Sequence, residues 1–236
     1  MFNNKAIRLK QERSKLISSS KIHIDELILE IYLSIINEQK NRFKDICIVT
    51  EDKNFTHQFT EGNIEVLSFE KFISKSESSM DLILIFSQLN FRDKIDNDLK
   101  RIKIILKEKG LLLCSFFSEN NLIDFKNLMH KIEISHFNGV SQRFHPIIDI
   151  RDIGNLFNQL GYNNTVIQKE NFSYQYDSLR LFLNHMRKMV FTNSLIVHSN
   201  HQINKIFYKD LEKKFIQIMK GIVSFELLIS CSWKDN

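Results

Sequence analysis

Apolar residues between positions 22 and 40 fall at Ile24, Leu27, Ile28, Ile31, Leu33 and Ile35, a mixture of three- and four-residue spacings that predicts an amphipathic helix. The pattern then changes to short runs without polar alternation. Residues 45–49 form the first run, and Leu82 to Phe86 and Leu111 to Phe117 form two more. Continuous apolar strands of this kind belong to parallel sheets covered by helices on both faces. Between them, Gly62-Asn63 marks a turn before a short strand at Ile64 to Leu67. A helix is expected from Ile95 to Lys109, with Leu99, Ile102, Ile105 and Leu106 on one face and Gly110 ending it. Strand, helix, glycine, strand is a βαβ unit.

Downstream, residues 121–134 read as helical, and 135–148 as an irregular stretch around the only proline, Pro146. Asp149 to Leu160 is a helix stopped by Gly161, and "TVIQKENFSYQY" alternates as two short strands or one bent one. "DSLRLFLNHMRKM" is a helix with Leu179, Phe182, Leu183 and Met186 inward, and "GIVSFELLISCSWK" is a final strand, expected antiparallel. The chain shows no internal repeat and no low-complexity linker.

Length and composition add limits. With 236 residues and 43% apolar content, the chain supports one large domain. Its longest apolar runs fall far short of the roughly 20 residues that span a bilayer, and no leader pattern opens it. The three cysteines, Cys47, Cys114 and Cys231, are widely spaced in apolar runs and read as buried thiols in a reducing compartment. The net charge is +5, and residues 1–21 alone carry six basic residues against Glu12. The remainder is balanced at 27 basic and 27 acidic residues. A basic arm of this kind has two readings. It is either a solvated helix with Ile7, Leu9 and Leu16 packed on the body, or a contact for RNA or anionic lipid. No aromatic residue interleaves with its charges for base stacking.

Several stretches together resemble one family. "RDIGNLFNQLGY" (151–162), "LNHMRKMVFTNSL" (183–195) and "SFELLISCSW" (224–233) look like the C-terminal half of class I S-adenosylmethionine-dependent methyltransferase-like proteins. The branch is that of the mitochondrial complex I assembly-factor methyltransferase-like proteins and their alphaproteobacterial relatives, with the malonyl-acyl-carrier-protein methyltransferases more distant. "SQRFHPI" (141–147) is similar to the branch's S-P-R-x-x-P-F turn, with Gln142 in place of proline, and "MFNNKAIRLKQERSK" resembles its basic start. The resemblance implies a reduced class I methyltransferase (Rossmann-like) α/β fold. That fold is a three-layer sandwich with a mostly parallel sheet and an antiparallel C-terminal strand. It also implies a single domain over 1–236, with a basic arm at 1–21 and a helical cap at 120–200.

The resemblance also locates a cofactor turn, h-D-h-G-x-G-x-G, at the end of the first strand. Its acidic residue falls at Cys47 and its glycines at Val49, Glu51 and Lys53. Glycine serves such a turn because no Cβ blocks backbone approach to the ligand. The vestigial cofactor positions are therefore Val49, Thr50, Glu51, Asp52 and Lys53, and Glu51 would also set a carboxylate near the cofactor's own. Only about thirty residues separate this strand from Asp81, so the second strand and its helix are expected to be shortened or missing, with Glu65 and Glu70 as the acidic candidates. "MDLILIFSQLNF" keeps Asp81, Leu82, Ser87 and Leu89 of the family segment but has Asn90-Phe91 where His-Trp or Gln-Trp is usual. Ser87 and Asn90 complete the vestigial set.

Other chemistry is thin. His198 and His201 stand at i, i+3 without a third ligand, so no metal site is expected, and no nucleophile-elbow, P-loop or C-x-x-C motif occurs. No catalytic residue is assigned. Arg143, Arg187 and Asn193 lie in the matched polar motifs and are the candidate substrate or partner contacts. The alternative for the arginines is internal pairing with carboxylates such as Asp149 or Asp152. The expected function is that of a degenerate, noncatalytic methyltransferase-like protein that binds a protein partner without cofactor, in respiratory complex I assembly. One alternative is an active S-adenosylmethionine-dependent methyltransferase on a protein or carboxylate substrate, and another is a basic-arm RNA or membrane-surface binder. The expected compartment is a bacterial cytoplasm, or the mitochondrial matrix in a eukaryote.

Overall fold

The first apolar run becomes strand β1 (Asp45–Val49), which pairs in parallel with β2 (Asn63–Leu67) on one side and β3 (Met80–Ile85) on the other. Strand β4 (Leu106–Phe117) continues the parallel set beside β3, and β6 (Ile222–Trp233) runs antiparallel to β4. With β5 (Asn163–Gln175) at the edge, the sheet order is β2-β1-β3-β4-β6-β5. Thr165 meets Ser232 while Ser173 meets Ser224, so β5 is antiparallel to β6 and parallel to the rest. The computed structural model describes residues 2–17, 24–39, 43–50, 59, 62–145, 147, 149–196 and 203–235. Among these, no helix is long and apolar enough to cross a membrane.

The chain divides into two compact units. One comprises Ile24–Ser118, Ile148–Glu170 and Leu227–Asn236, and the other Met1–His23, Glu119–Ile147 and Asn171–Glu226. In the first, period-two alternation sends Cys47, Val49, Ile83, Ile85, Leu112 and Cys114 to one face of the sheet. There they meet Phe69 and Phe72 of α3 (Phe69–Ile73), Leu99, Ile102 and Ile105 of α4 (Ile95–Ile105), and Ile153 and Phe157 of α6 (Ile150–Gln159). The opposite face is served by α2 (Ile24–Glu38), which buries Ile24, Ile28, Leu29 and Tyr32, with Tyr32 against Phe86 at 5.3 Å between ring centroids. Apolar strands between two helical layers are what the continuous runs required.

The second unit is built on aromatic packing. Helix α5 (Ile123–Phe137) packs against α8 (Lys205–Met219), α7 (Leu179–Lys188) against α8, and α1 (Asn4–Ser14) against α7. Phe125 sits edge-on to Phe182 at 4.7 Å, and Phe182 stacks on Phe215 at 5.7 Å.

Several expectations change. The helix predicted to reach Lys109 ends at Ile105, because Leu106 leaves helical geometry to pair with Met80 in the sheet, where it is fully buried. Residues 107–110 form an irregularity in β4, with Lys109 at φ 59° and Lys107 bonded to both Asp45 and Asp81. Gly110 therefore lies within the strand, where a Cβ would meet the Lys107 carbonyl at 2.8 Å. Strand two and its helix are present but short, five residues each. "TVIQKENFSYQ" is one continuous strand, and α8 answers to no element predicted above. Leu9 and Leu16 are 43% and 88% exposed, so the N-terminal helix does not pack through them as expected.

Candidate functional site

In an open α/β sheet, ligands bind outside the carboxyl ends of the strands, where successive crossovers leave in opposite directions. Here that point lies between β1 and β3. Val49 ends β1 fully buried, and Thr50, 5% exposed, donates its N–H to the Leu67 carbonyl at 3.0 Å. Glu51, Asp52 and Lys53 lie outside the described residues.

Beyond β3, Ser87 takes a left-handed conformation (φ 48°), which turns its polar groups toward β4. Its N–H donates to the Ser115 hydroxyl at 2.9 Å, and the two hydroxyls are 3.1 Å apart. Asn90 donates from Nδ2 to the Ser87 carbonyl at 2.7 Å and accepts the Phe117 N–H on Oδ1 at 3.0 Å. From α2, the Tyr32 hydroxyl donates to the Ile85 carbonyl at 2.8 Å, and burial raises its pKa well above the usual phenol value. The structure therefore brings Val49, Thr50, Ser87 and Asn90 to one mouth and adds Tyr32 and Ser115, which sequence reasoning missed. Tyr32 was legible as the only hydroxyl-bearing residue on the buried stripe Ile24, Ile28, Tyr32; Ser115 had no signal within its apolar run. Glu65, on β2, is held by Lys75 at 2.8 Å.

The cysteines belong to the sheet. Cys47 and Cys114 are buried, with thiols pushed up to about 12 by desolvation, and Cys231 is pushed up to about 11. None is a thiolate nucleophile at neutral pH.

The other predicted residues lie in the second unit, and two of them, Arg143 and Asn193, belong to stretches that bind one another. Arg143 donates from Nε to Oε1 of Glu133, which is wholly buried and also accepts the Ser141 N–H at 3.3 Å. Internal pairing is thus observed, with Glu133 rather than Asp149 or Asp152 as partner. Asn193 donates to the Gln142 carbonyl at 3.2 Å and accepts the Leu195 N–H at 3.0 Å. Lys10 of α1 donates to the carbonyls of Thr192 and Asn193 and to the Ser194 hydroxyl. His145 accepts the Ser194 N–H on Nε2 at 2.7 Å, flanked edge-on by Phe2 and Phe191. Desolvation, and then the Lys10 charge, push His145 down to about 4, which keeps it neutral. The polar motifs at 141–145 and 192–195 and the basic start at 2–10 thus join the N-terminal helix to the unit's loops. Arg187 stands apart: it is exposed and donates to Asn184 at 2.7 Å.

Nearby, the Tyr176 hydroxyl and His185 Nδ1 are 2.6 Å apart and buried, and neither residue was anticipated. Among the described residues no cluster of three metal-ligating side chains occurs, and His198 and His201 lie outside them.

A parallel β2-β1-β3-β4 core, an antiparallel β6 and a switch-point mouth define a Rossmann-like methyltransferase fold. The crystal structure of the Bacillus halodurans methyltransferase-fold protein BH2331 superposes with a TM-score of 0.55 over 87% of this chain and 98% of that one, at 11% identity. No protein-family model matches the chain. "Arginine-hydroxylase NDUFAF5, mitochondrial" of Dictyostelium discoideum is 27% identical over 138 residues, 58% of this chain but only 32% of that protein's length. "Putative methyltransferase RP459" of Rickettsia prowazekii is 19% identical over 189 residues, 80% of this chain and 83% of its own length. The chain is a relative of NDUFAF5 and RP459, and its fold is that of the class I methyltransferases.

Proposed function

We infer that this chain acts by binding a protein partner, as a methyltransferase-fold protein that does not turn over S-adenosylmethionine. The observation that carries this reading is the Ser87–Ser115–Asn90 set. The two positions at the β3 mouth expected to face a cofactor spend their polar atoms on neighbouring backbone and on Ser115. The strand end supports it as well. Val49 carries a buried β-branched side chain where the family's turn has its first glycine, and residues 49–53 contain no glycine. A Cβ at such positions fills the space a ligand needs for close backbone approach, so the described residues fit the cofactor poorly.

In this reading the protein serves assembly of respiratory complex I, which the resemblance to NDUFAF5 supports. The working compartment is a bacterial cytoplasm or a mitochondrial matrix, in keeping with the Rickettsia relative and the mitochondrial one. A second reading keeps the partner and adds chemistry. In it the chain is an active S-adenosylmethionine-dependent methyltransferase on a protein or carboxylate substrate, which the methyltransferase name of the Rickettsia relative supports, with the cofactor bound only if the rebuilt turn still holds it.

Isothermal titration of the full chain with S-adenosylmethionine separates the two. The expected result is no binding up to millimolar ligand. Micromolar binding that disappears in the Glu51→Ala, Asp52→Ala double variant overturns the noncatalytic reading.

A further inference from the structure

Net charge is unevenly divided between the two units. The unit built from Met1–His23, Glu119–Ile147 and Asn171–Glu226 holds seventeen basic and eight acidic residues, a net of +9. The other holds sixteen and twenty, a net of −4. The excess is therefore not confined to the N-terminal arm. Helices α1, α7 and α8 together carry eleven basic and three acidic residues. Their N-termini are capped by Asn3, Ser178 and Asn204, and no first turn contains an acid.

The three helices repeat one surface pattern. On α8 the buried residues are Phe207, Leu211 and Phe215. At 3.6 residues per turn, the opposite face holds Lys205, Ile206, Lys209, Lys213 and Ile216, all exposed, with Ile206 at 71%. Asp210 lies off this stripe and is engaged by Lys214 and His136. On α7, Arg180, Leu181 and Arg187 are exposed, and on α1, Lys5, Arg8, Leu9 and Arg13, with Glu12 as the one acid among the three cations there. The helices are neighbours, α1 beside α7 and α7 beside α8, and Arg180 and Arg187 both bear electrostatically on Tyr208 of α8.

Cations interleaved with exposed branched aliphatics suit one class of partner. A single-stranded nucleic acid would be met by aromatic rings for stacking, and none of the three helices exposes one, while a duplex, bound through its phosphates, offers no apolar boundary for Ile206, Ile216, Leu181 and Leu9. An anionic bilayer uses both components. Its surface potential attracts Lys and Arg, whose stems snorkel, while isoleucine and leucine enter the boundary between headgroups and acyl chains. We propose that the exposed face of α1, α7 and α8 docks on an anionic phospholipid surface.

The test is co-sedimentation of the full chain with vesicles of phosphatidylcholine alone or equimolar with phosphatidylglycerol. The expected result is sedimentation with the anionic vesicles only, reversed by raised salt. The Lys209→Glu, Lys213→Glu double variant should lose about tenfold or more in partition, since each surface cation contributes a several-fold factor. The Ile206→Ser, Ile216→Ser variant should lose several-fold with the salt dependence kept. All four positions are exposed, so thermal melting should match the parent chain. Three results overturn the proposal. They are equal sedimentation with neutral vesicles, no sedimentation with anionic ones, and displacement from vesicles by a single-stranded RNA that both variant pairs bind as the parent does.

Discussion

Glu133 is a charged residue with no exposed surface, held by Arg143 and by the Ser141 N–H. Removing Arg143 leaves the Glu133 carboxylate buried without its cation, which costs about 3–5 kcal/mol. Arg143→Met is expected to lower stability by that amount in urea denaturation, and Arg143→Met combined with Glu133→Met by much less. His145 offers a test by pH. Its folded pKa of about 4 lies below the ordinary value of 6.5, so the unfolded chain binds the proton more readily. Stability at this site is complete above pH 6.5 and lost as pH falls toward 4, by up to about 3 kcal/mol. Denaturation midpoints across that window should fall for the parent chain, and the His145→Gln variant should show the smaller slope.

Two glycines separate at the level of elements. Gly221, between α8 and β6, has φ +70°, and a Cβ there would lie 2.1 Å from the Tyr176 carbonyl oxygen, while the Tyr176 N–H donates to the Gly221 carbonyl at 2.9 Å. Gly154 lies inside α6, where a Cβ would make only an ordinary contact with Ile167 at 3.7 Å. Gly221→Ala should therefore cost more than about 2 kcal/mol, since an unfavourable backbone region and a backbone collision act together. Gly154→Ala should raise the melting temperature, through a gain of about 0.5–1 kcal/mol in helix propensity. Opposite shifts in Tm from the same substitution would confirm that the two glycines serve different ends.

Charge is a property of the whole molecule, and the net of +5 conceals one unit at +9 and another at −4. Long-range attraction to an anionic surface depends on that local excess, screened over roughly 10 Å at ordinary salt. The salt dependence of vesicle binding is accordingly expected to exceed what a uniform +5 would give. The same folding that separates the charges also recruits the basic start of the chain as a structural element. Lys10 is tied to residues 192–194 and does not trail as a free arm.

Local pattern alone determined much of the fold. Continuous apolar runs specified β1, β3 and β4, Asp149 and Gly161 bracketed α6, and the poor prospect of a glycine turn at 49–53 was visible in the letters themselves. These features depend on neighbours within a few residues, which sequence order displays directly. Tertiary structure alone decided that Leu106 belongs to the sheet, that Arg143 answers Glu133, and that Tyr32 and Ser115 join Ser87 at the strand mouth. It also decided which lysines share a face and that the balanced part of the chain separates into opposite charges. Such pairings join residues ten to more than fifty positions apart. Burial and hydrogen-bond satisfaction select them only after the strands have taken their order.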